Sequence, residues 1–238
     1  MKIAQISDLH ITEPGEVVCG VDAGRRLLDL LSTIQEFNLD HLLVTGDLCS
    51  RGAGESIYKW IKNQLDDALI PYSVIPGNHD DSSVMARVFG YDGFTFDKML
   101  GTQKWYFLDT SCGYVSPNDM EWVHSELTDP SVSRAMIVMH HPPCLCSVPH
   151  MDRKYYLQNH EVMLRLLSES KKIIHVFCGH YHVAKTLQFQ DVTIHLCPST
   201  NFQINSQKTS FEGIYHLSGY ILIRCDEDWM DVEFKFMQ

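Results

Sequence analysis

Six short apolar runs recur along this chain of 238 residues and limit the folds that it can adopt. Nearly every residue in them is apolar, rather than every second one, which is typical of strands buried on both faces of a sheet. The runs span residues 2–7, 41–45, 72–75, 105–108, 135–139 and 173–178. Because helical patterns separate several of them, the sequence predicts an α/β fold.

Three segments have the periodicity of amphipathic helices. Residues 22–37 form the first, between the first two runs, and this order predicts a β-α-β unit with a parallel crossover. The second is predicted to begin at Ser116, with Pro117 in its first turn, and the third spans residues 159–168. Their predicted inner faces comprise Leu27, Leu28, Leu31 and Ile34 in the first, Trp122, Val123 and Leu127 in the second, and Val162, Leu166 and Leu167 in the third.

Towards the C-terminus the pattern changes to consecutive strands at 192–196, 219–224 and 231–236. The last two are too close together for a helix between them, so they are predicted to pair antiparallel. The polar stretch 199–213 is the longest candidate loop, and long loops in compact domains are often functional. Since the sequence has no linker that would mark a boundary, residues 1–238 are predicted to form one domain.

Five of the apolar runs end in a short polar motif, which in chain order are DLH, GDL, GNHD, HHPP and GHYH. Ligands of open α/β sheets bind beyond the carboxyl ends of the strands, so these motifs are predicted to meet in one crevice. Gly46, Gly77 and Gly179 each precede a donor residue, where the chain must turn sharply off a strand. The candidate metal ligands are Asp8, His10, Asp47, Asn78, His140, His180 and His182.

The types of donor in these motifs favour particular metals. Four imidazoles, two carboxylates and one amide oxygen, without a thiolate, suit manganese, iron, zinc or cobalt, and they suffice for two adjacent divalent or trivalent ions. Asp8 and His10 are predicted to point to the same side of an extended segment, so this pair can share one site. The same prediction holds for His180 and His182.

Two such ions would also let an acidic protein attract an anion. Two divalent ions bring four positive charges and the carboxylates of Asp8 and Asp47 bring two negative ones, so the centre would be positive. Water on such a metal loses its proton near neutral pH, and two ions about 3.5 to 4 Å apart can stabilise both the entering and the leaving oxygen. The predicted chemistry is therefore metal-assisted hydrolysis of a phosphodiester.

The five motifs, in this order, resemble those of the calcineurin-like metallophosphoesterases. Their spelling is especially similar to that of bacterial class III cyclic-nucleotide phosphodiesterases and the related glycerophosphodiesterases, over residues 2 to 202. The resemblance implies a sandwich of two mixed β-sheets flanked by helices, in αββα layers. It also implies two metal shells, which comprise Asp8, His10 and His182 for the first ion and Asn78, His140 and His180 for the second, with Asp47 as the bridge.

The same resemblance implies how the reaction proceeds. A metal-bound hydroxide attacks in line, and His79 contacts the scissile phosphate and protonates the leaving alkoxide. Asp80 is expected to orient a neighbour, and His141 to lie beside the ligand His140. The segment 198–203, PSTNFQ, is similar to a stretch that passes close to the site in the cyclic-AMP phosphodiesterase branch.

The substrate most favoured by these motifs is a 3′,5′-cyclic nucleotide such as cyclic AMP. A glycerophosphodiester or a 2′,3′-cyclic nucleotide stays open, and a phosphomonoesterase or a non-catalytic scaffold is less favoured. With 19 Lys and Arg against 30 Asp and Glu, the formal net charge is -11, which disfavours a nucleic-acid polymer as partner. The expected partner is a small phosphodiester, no membrane partner is expected, and a homo-oligomer stays open.

The remaining polar residues are interpreted without a role in catalysis. Eight cysteines without a secretory signal or a membrane-length apolar stretch predict a cytoplasmic chain with reduced thiols, including the pair Cys144 and Cys146. Arg51 and Arg153 are predicted to be solvated, with phosphate binding as the alternative, and Tyr181 either packs or lines the pocket. The histidines interpreted as surface or core residues are His41, His124, His150, His160, His175, His195 and His216.

Overall fold

The structure, a computed structural model, describes residues 1–13 and 15–237. In chain order its strands are β1 (Lys2–Ile6), β2 (Val17–Val18), β3 (Val21–Asp22), β4 (His41–Thr45), β5 (Tyr72–Ile75), β6 (Phe96–Leu100), β7 (Gln103–Leu108), β8 (Arg134–Met139), β9 (Ile173–Cys178), β10 (Lys185–Phe189), β11 (Val192–Leu196), β12 (Gln203–Ile204), β13 (Gly213–Ile214), β14 (Ser218–Cys225) and β15 (Met230–Met237). Its helices are α1 (Ala23–Gln35), α2 (Glu55–Asp67), α3 (Ser82–Phe89), α4 (Pro117–Thr128), α5 (Pro149–Lys154) and α6 (His160–Glu169).

The first large sheet has five strands in the order β15-β14-β1-β4-β5. Strand β1 pairs parallel with β4, and β4 pairs parallel with β5, so α1 makes the predicted crossover of a β-α-β unit. Strand β14 pairs antiparallel with both β1 and β15. The predicted antiparallel pairing of the last two strands is therefore confirmed.

The second large sheet has six strands in the order β10-β11-β9-β8-β7-β6. Its four central strands run parallel, while β6 and β10 pair antiparallel at the two edges. The edge strands were not predicted because each has one exposed face, so their sequences mix polar and apolar residues. All six predicted apolar runs are strands of these two mixed sheets.

Three apolar clusters fill the spaces between the layers. The middle cluster joins the two sheets and includes Ile3 and Leu43 of the first sheet and Trp105 and Phe177 of the second. A second cluster lies between the first sheet and α1, α2 and α3, and a third between the second sheet and α4, α5 and α6. These layers confirm the αββα sandwich that the resemblance implied. Within the described residues, no helix combines the length and the apolar character needed to cross a membrane.

The predicted inner faces of two helices are partly wrong. Helix α1 buries Leu30 together with Leu27, Leu31 and Ile34, whereas Leu28 is 37% exposed. Helix α6 buries Met163 and Leu167, whereas Val162 is 54% exposed. Neighbouring residues point about 100° apart on a helix, so a wide apolar stripe does not fix which flank faces the sheet. The start of α4 is as predicted, because the Ser116 hydroxyl accepts a hydrogen bond from the N–H of Asp119.

The stretch 199–213 is more ordered than the predicted loop. Strand β12 within it pairs antiparallel with β13, which makes a two-stranded ribbon. The guanidinium of Arg26, in α1, donates to the backbone carbonyls of Asn201 and Tyr215. One side chain therefore holds both ends of the segment against the helix.

Candidate metal centre

The seven candidate ligands predicted from the sequence lie together at the carboxyl ends of five strands. Asp8 follows β1, Asp47 follows β4 and Asn78 follows β5, all in the first sheet. His140 follows β8, and His180 with His182 follows β9, both in the second sheet. Because the parallel strands of both sheets end at the same side of the sandwich, residues from the whole chain meet there.

The sequence predicted that these residues lie in extended segments. In the structure several of them instead have left-handed backbone angles. The φ angles of Asp8 and His10 are 55° and 47°, and those of His180 and His182 are 69° and 52°. For residues other than glycine this backbone conformation costs of order 1–3 kcal/mol, so surrounding contacts must stabilise it. The N–H of Asp8 donates to Gly46 at 3.0 Å and that of His10 to the carbonyl of Asp47 at 2.9 Å, which fixes the first turn.

The donor atoms form two clusters. Asp8, His10 and His182 have donor atoms within 4.8 Å of one another, and so do Asp47, His140 and His180. A third group, His10, Asp47 and His79, meets the same limit and connects the two clusters. Asp8 and His10 were predicted to share one site, and they lie in the same cluster. The same prediction for His180 and His182 is wrong, because these two residues lie in different clusters. The resemblance implied the same residues for the first ion and Asn78, His140 and His180 for the second, and these ligand roles stay a prediction.

Asp47 lies between the two clusters. Its Oδ2 atom is 3.7 Å from Nε2 of His10 in one cluster and 3.5 Å from Nε2 of His140 in the other. Its Oδ1 atom accepts a hydrogen bond of 2.8 Å from the backbone N–H of His79. One carboxylate oxygen is thus fixed and the other faces both clusters, which is the arrangement a bridging ligand needs.

Two buried atoms of the centre lack a hydrogen-bond partner among the described residues. They are Oδ1 of Asn78 and Nε2 of His140. A buried polar atom left without a partner costs about 1–3 kcal/mol. Both are atoms with which these side chains coordinate metals, so the residues present fit a metal ion.

Backbone carbonyls set the orientation of three histidines. Nδ1 of His140 donates to Thr45 at 2.8 Å, and Nδ1 of His182 donates to Phe202 at 2.8 Å. Nε2 of His180 donates to Tyr155 at 2.6 Å. In each ring the other nitrogen is left for a second contact, and such outer contacts are typical of metal-binding histidines.

The charges at the centre also suit a cation. Burial alone would raise the pKa of Asp8, but His182 and His140 hold this pKa at about 2. Burial likewise opposes ionisation of Asp47, yet His140 and His10 keep its pKa well below the usual value. Burial lowers the pKa of His10 to about 4 and that of His180 to about 3. Near neutral pH the metal-free centre therefore offers ionised carboxylates with neutral His10 and His180. Burial opposes protonation of His140, but Asp47 and Asp8 raise its pKa to about 9, so this histidine must release a proton when a metal binds.

Two glycines at the centre serve different purposes. Gly46 has a φ of 96°, and a Cβ there would collide with the ring of His140. Gly77 lacks a left-handed φ, but its Cβ would collide with Oδ1 of Asp47. The predicted sharp turn therefore explains Gly46, whereas Gly77 is needed because the carboxylate approaches its backbone closely.

Asp80 connects two of the turns. Its carboxylate accepts hydrogen bonds from the backbone N–H groups of Gly77, Leu48 and Cys49, at 2.9 to 3.1 Å, and from the hydroxyl of Tyr58 at 3.3 Å. It thereby holds the GNHD turn against the GDL turn. This geometry agrees with the expected orienting role.

A cavity of about 540 Å³ opens beside the two clusters. The rings of His79 and His10 both line it, with their centroids 4.9 Å apart. Arg51 also lines the cavity, whereas Arg153 is exposed and is not among the lining residues. His150 lines it too, although it is buried, which agrees with its assignment to the surface or the core.

Two neighbours of the ligands do not line this cavity. The buried Tyr181 donates its hydroxyl hydrogen to Asp152 at 3.0 Å and packs in the core, which decides between its two predicted roles. His141 is buried, with Nδ1 3.0 Å from the Thr110 hydroxyl and its ring centroid 4.1 Å from that of His180.

Aromatic residues of the cavity were missed by the sequence reasoning. The ring centroid of Phe202 lies 4.5 Å from that of His182 and 5.7 Å from that of His10. PSTNFQ had indicated that this stretch passes the site, but Phe211 and Tyr215, which also line the cavity, carried no local signal. Their position depends on the pairing of β12 with β13.

Comparison with known proteins places the chain among metal-dependent hydrolases. The model of a family described as calcineurin-like phosphoesterase matches residues 1–184. A Fibrobacter succinogenes protein named "Probable cyclic nucleotide phosphodiesterase" is 32% identical, over 99% of this chain and 94% of its own. A "3′,5′-cyclic-nucleotide phosphodiesterase" of Nostoc sp. is 29% identical, over 96% and 89% of the two chains.

Two further similarities extend this comparison. An Arcobacter nitrofigilis protein named "Probable glycerophosphodiester phosphodiesterase" is 27% identical, over 86% of this chain and 80% of its own. The solved structure of a dimetal phosphatase from Danio rerio has a TM-score of 0.75 at 13% identity, over 98% of this chain and 95% of its own. At this identity the structural similarity concerns the fold alone.

Proposed function

Because this chain belongs to the calcineurin-like phosphoesterase family, we propose that it is a metal-dependent hydrolase of a small phosphodiester. The observation that carries the proposal is the pair of donor clusters with Oδ2 of Asp47 between them. Mn, Fe, Zn and Co ions all suit the donors, which are imidazoles, carboxylates and an amide oxygen. Residues 1–238 would act as one domain.

Each candidate ligand has a proposed place. Asp8, His10 and His182 would hold one ion, and Asn78, His140 and His180 the other, with Asp47 shared by both. When bound, the two ions would lower the pKa of a water molecule and stabilise charge on the phosphate.

The protein's own contribution to proton transfer would come from His79. Its backbone N–H is tied to Asp47 at 2.8 Å, and its side chain lines the cavity. An imidazole there is placed to donate a proton to the leaving oxygen as the bond to phosphorus breaks. Asp47 would contribute both by sharing the ions and by positioning His79.

We favour a 3′,5′-cyclic nucleotide such as cyclic AMP as the substrate. The names of two relatives support this choice, as does the contact of Phe202, in the PSTNFQ stretch, with both His10 and His182. A glycerophosphodiester is the second candidate, because the Arcobacter relative is named for that substrate. A 2′,3′-cyclic nucleotide offers the same reacting groups.

The proposal includes the partners and the compartment. The formal charge of -11 disfavours binding of a nucleic-acid polymer, so a small molecule is the proposed partner. Eight free thiols, several of them buried, agree with a cytoplasmic location.

A substrate panel tests this proposal. The protein loaded with Mn²⁺ should hydrolyse cyclic AMP with a higher kcat/KM than glycerophosphoethanolamine, 2′,3′-cyclic AMP or p-nitrophenyl phosphate. If cyclic AMP ranks last, the substrate assignment is wrong. If the loaded protein also fails to hydrolyse bis(p-nitrophenyl) phosphate, while Asp47→Ala leaves folding and partner binding intact, a scaffold role replaces the enzymatic one.

A further inference from the structure

An aromatic surface extends outward from the candidate metal centre along one side of the cavity. It consists of Phe202, Phe211 and Tyr215, and we call it the aromatic wall. The ring centroid of Phe202 lies 4.5 Å from that of His182, 6.0 Å from that of Phe211 and 5.3 Å from that of Tyr215. A molecule whose phosphate lies at the centre would therefore meet this wall with its other end.

Phe211 contributes little to the core. Phe211 is 50% exposed, whereas core aromatic residues such as Trp105 and Phe177 are fully buried. Its aromatic neighbours are Phe202 and His150, at 6.0 and 5.8 Å between centroids. A large ring that lines a cavity without being buried has apolar surface left to cover, and a bound ligand would cover it.

The wall is held in place before any ligand binds. Arg26 donates to the carbonyls of Asn201 and Tyr215, and β12 pairs with β13 between these two points. A binding surface that is already ordered loses less conformational entropy when it takes up a ligand. The wall is therefore suited to a rigid, planar group.

The charges of the lining indicate which planar group fits. Among the described residues that line the cavity, Asp47 is the only carboxylate, and it faces the metal clusters. A cationic ammonium head group would gain from a second carboxylate near the rings, whereas an uncharged heterocycle needs none. The lining also includes Val18, Val21 and Ile204, which are apolar.

We propose that the aromatic wall of Phe202, Phe211 and Tyr215 stacks against the nucleobase of a nucleotide substrate. This inference rests on the proposed phosphodiesterase function and adds the group that selects nucleotides over baseless phosphodiesters. Every base has a π face, so stacking of this kind accepts purines and pyrimidines alike. The wall thus favours cyclic nucleotides as a class rather than one base.

The test compares cyclic AMP with 1-O-methylribose 3′,5′-cyclic phosphate, which keeps the reacting ring and lacks the base. Stacking on an aromatic side chain changes base affinity by about 5-fold to 150-fold, and the half-exposed Phe211 should lie near the lower limit. Phe211→Ala should lower kcat/KM for cyclic AMP about 5-fold to 10-fold, mainly through KM, and leave the baseless ester unchanged. Phe211→Trp should restore the preference.

Phe189→Ala is the matched control, because Phe189 is also about half exposed and is not among the residues that line this cavity. This variant should leave kcat/KM unchanged for both cyclic AMP and the baseless ester. Equal kcat/KM for cyclic AMP and the baseless ester in the wild type would overturn the inference while the proposed function stands. A larger loss with glycerophosphocholine than with cyclic AMP in Phe211→Ala would show that the wall binds a cation instead. If the protein hydrolyses neither cyclic ester, the proposed substrate itself is refuted.

Discussion

The Nδ1 atom of His140 lies 2.8 Å from the carbonyl oxygen of Thr45, the last residue of the strand that precedes Asp47. The carbonyl can only accept, so Nδ1 carries a hydrogen, and the buried Nε2 is left facing the centre without a hydrogen-bond partner among the described residues. This contact joins the second sheet to the first at the candidate metal centre. It orients the His140 ring, which has no other hydrogen bond among the described residues, so that its Nε2 lies 3.5 Å from Oδ2 of Asp47.

Replacement of His140 should remove one of the two metals. We expect His140→Ala to bind close to one ion per chain after loading with Mn²⁺, because the second cluster loses a donor. Loss of an outer partner of a ligand typically costs about 10- to 100-fold in metal affinity or activity, and loss of the ligand itself should exceed this. Metal content by mass spectrometry and kcat/KM on bis(p-nitrophenyl) phosphate measure both effects.

His141→Ala is the control for this variant. His141 is the adjacent buried histidine, and its Nδ1 pairs with the hydroxyl of Thr110. Its removal should lower stability but leave two ions per chain. Two ions in His140→Ala would contradict the assigned role of His140.

Replacement of His79 should affect substrates according to their leaving group. His79→Ala should keep its metal content, since Asp47 accepts from the backbone N–H at this position and not from the side chain. Turnover of diesters with alkoxide leaving groups should fall about 100-fold or more, a typical contribution of acid catalysis, whereas nitrophenyl esters need little protonation and should lose less. Equal losses on both kinds of ester would show that His79 is not the acid.

Asp80 should matter through the turns that it holds. In Asp80→Asn one acceptor oxygen becomes an NH₂ group that faces backbone N–H donors of Gly77, Leu48 or Cys49. We expect the free energy of unfolding to fall by about 1–3 kcal/mol and metal affinity to fall about 10- to 100-fold. Urea denaturation and metal titration provide the measurements.

The neighbouring Asp81→Asn serves as the control. Asp81 caps α3 by accepting from the N–H groups of Ser83 and Val84, and asparagine caps a helix about as well as aspartate. It should therefore change neither stability nor metal affinity by much. An effect as large as that of Asp80→Asn would point to charge, and not geometry, as the reason.

The sequence predicted the strands that end at the site better than it predicted the helices and edges. Runs such as 41–45 and 173–178 are buried on both faces, so composition alone identifies them. Which flank of a helix faces the sheet depends on tertiary packing, as the exposed Leu28 of α1 shows. Helix α2 was not predicted, although Ile57, Tyr58, Ile61 and Leu65 have helical spacing.

The candidate site shows the same contrast between local and long-range information. The motifs gave every donor residue that the structure brings together, because each motif sits directly after a strand. They could not give Phe211 or His150, whose places in the cavity depend on where separate segments pack. Left-handed φ angles at Asp8 and His182 were also beyond a pattern that treats the motif as extended.

Arg26 should control the order of the aromatic wall. Arg26→Ala removes both donors to the carbonyls of Asn201 and Tyr215, so amides within 201–215 should exchange with solvent faster. KM for cyclic AMP should rise severalfold while two metal ions per chain remain bound. Arg26→Lys should not restore the wild-type values, because a single ammonium lacks the planar fork that reaches two acceptors.

Arg25→Ala is the matched control for the contacts of Arg26 with Asn201 and Tyr215. Arg25 precedes Arg26 in the same helix and forms an exposed ion pair with Asp29 at 2.9 Å. Such pairs contribute about 0.3–0.5 kcal/mol, so stability should hardly change and hydrogen exchange in 201–215 should not. Unchanged hydrogen exchange of residues 201–215 in Arg26→Ala would contradict the proposed role of Arg26.

Buried histidines away from the centre should make the metal-free protein less stable in acid. Burial, with a smaller contribution from Lys98, lowers the pKa of His41 to about 4 from the usual 6.5. Between these two values the unfolded chain binds more protons than the folded one, so stability is full above pH 6.5 and is lost as the pH falls towards 4. In His41→Gln, which can keep the contact to the Ser73 hydroxyl, the slope of stability against pH should drop by up to about 1.4 kcal/mol per pH unit in this window. Urea denaturation in EDTA, with exposed His124→Gln as control, measures the slope, and an unchanged slope would mean that His41 is protonated in the folded protein.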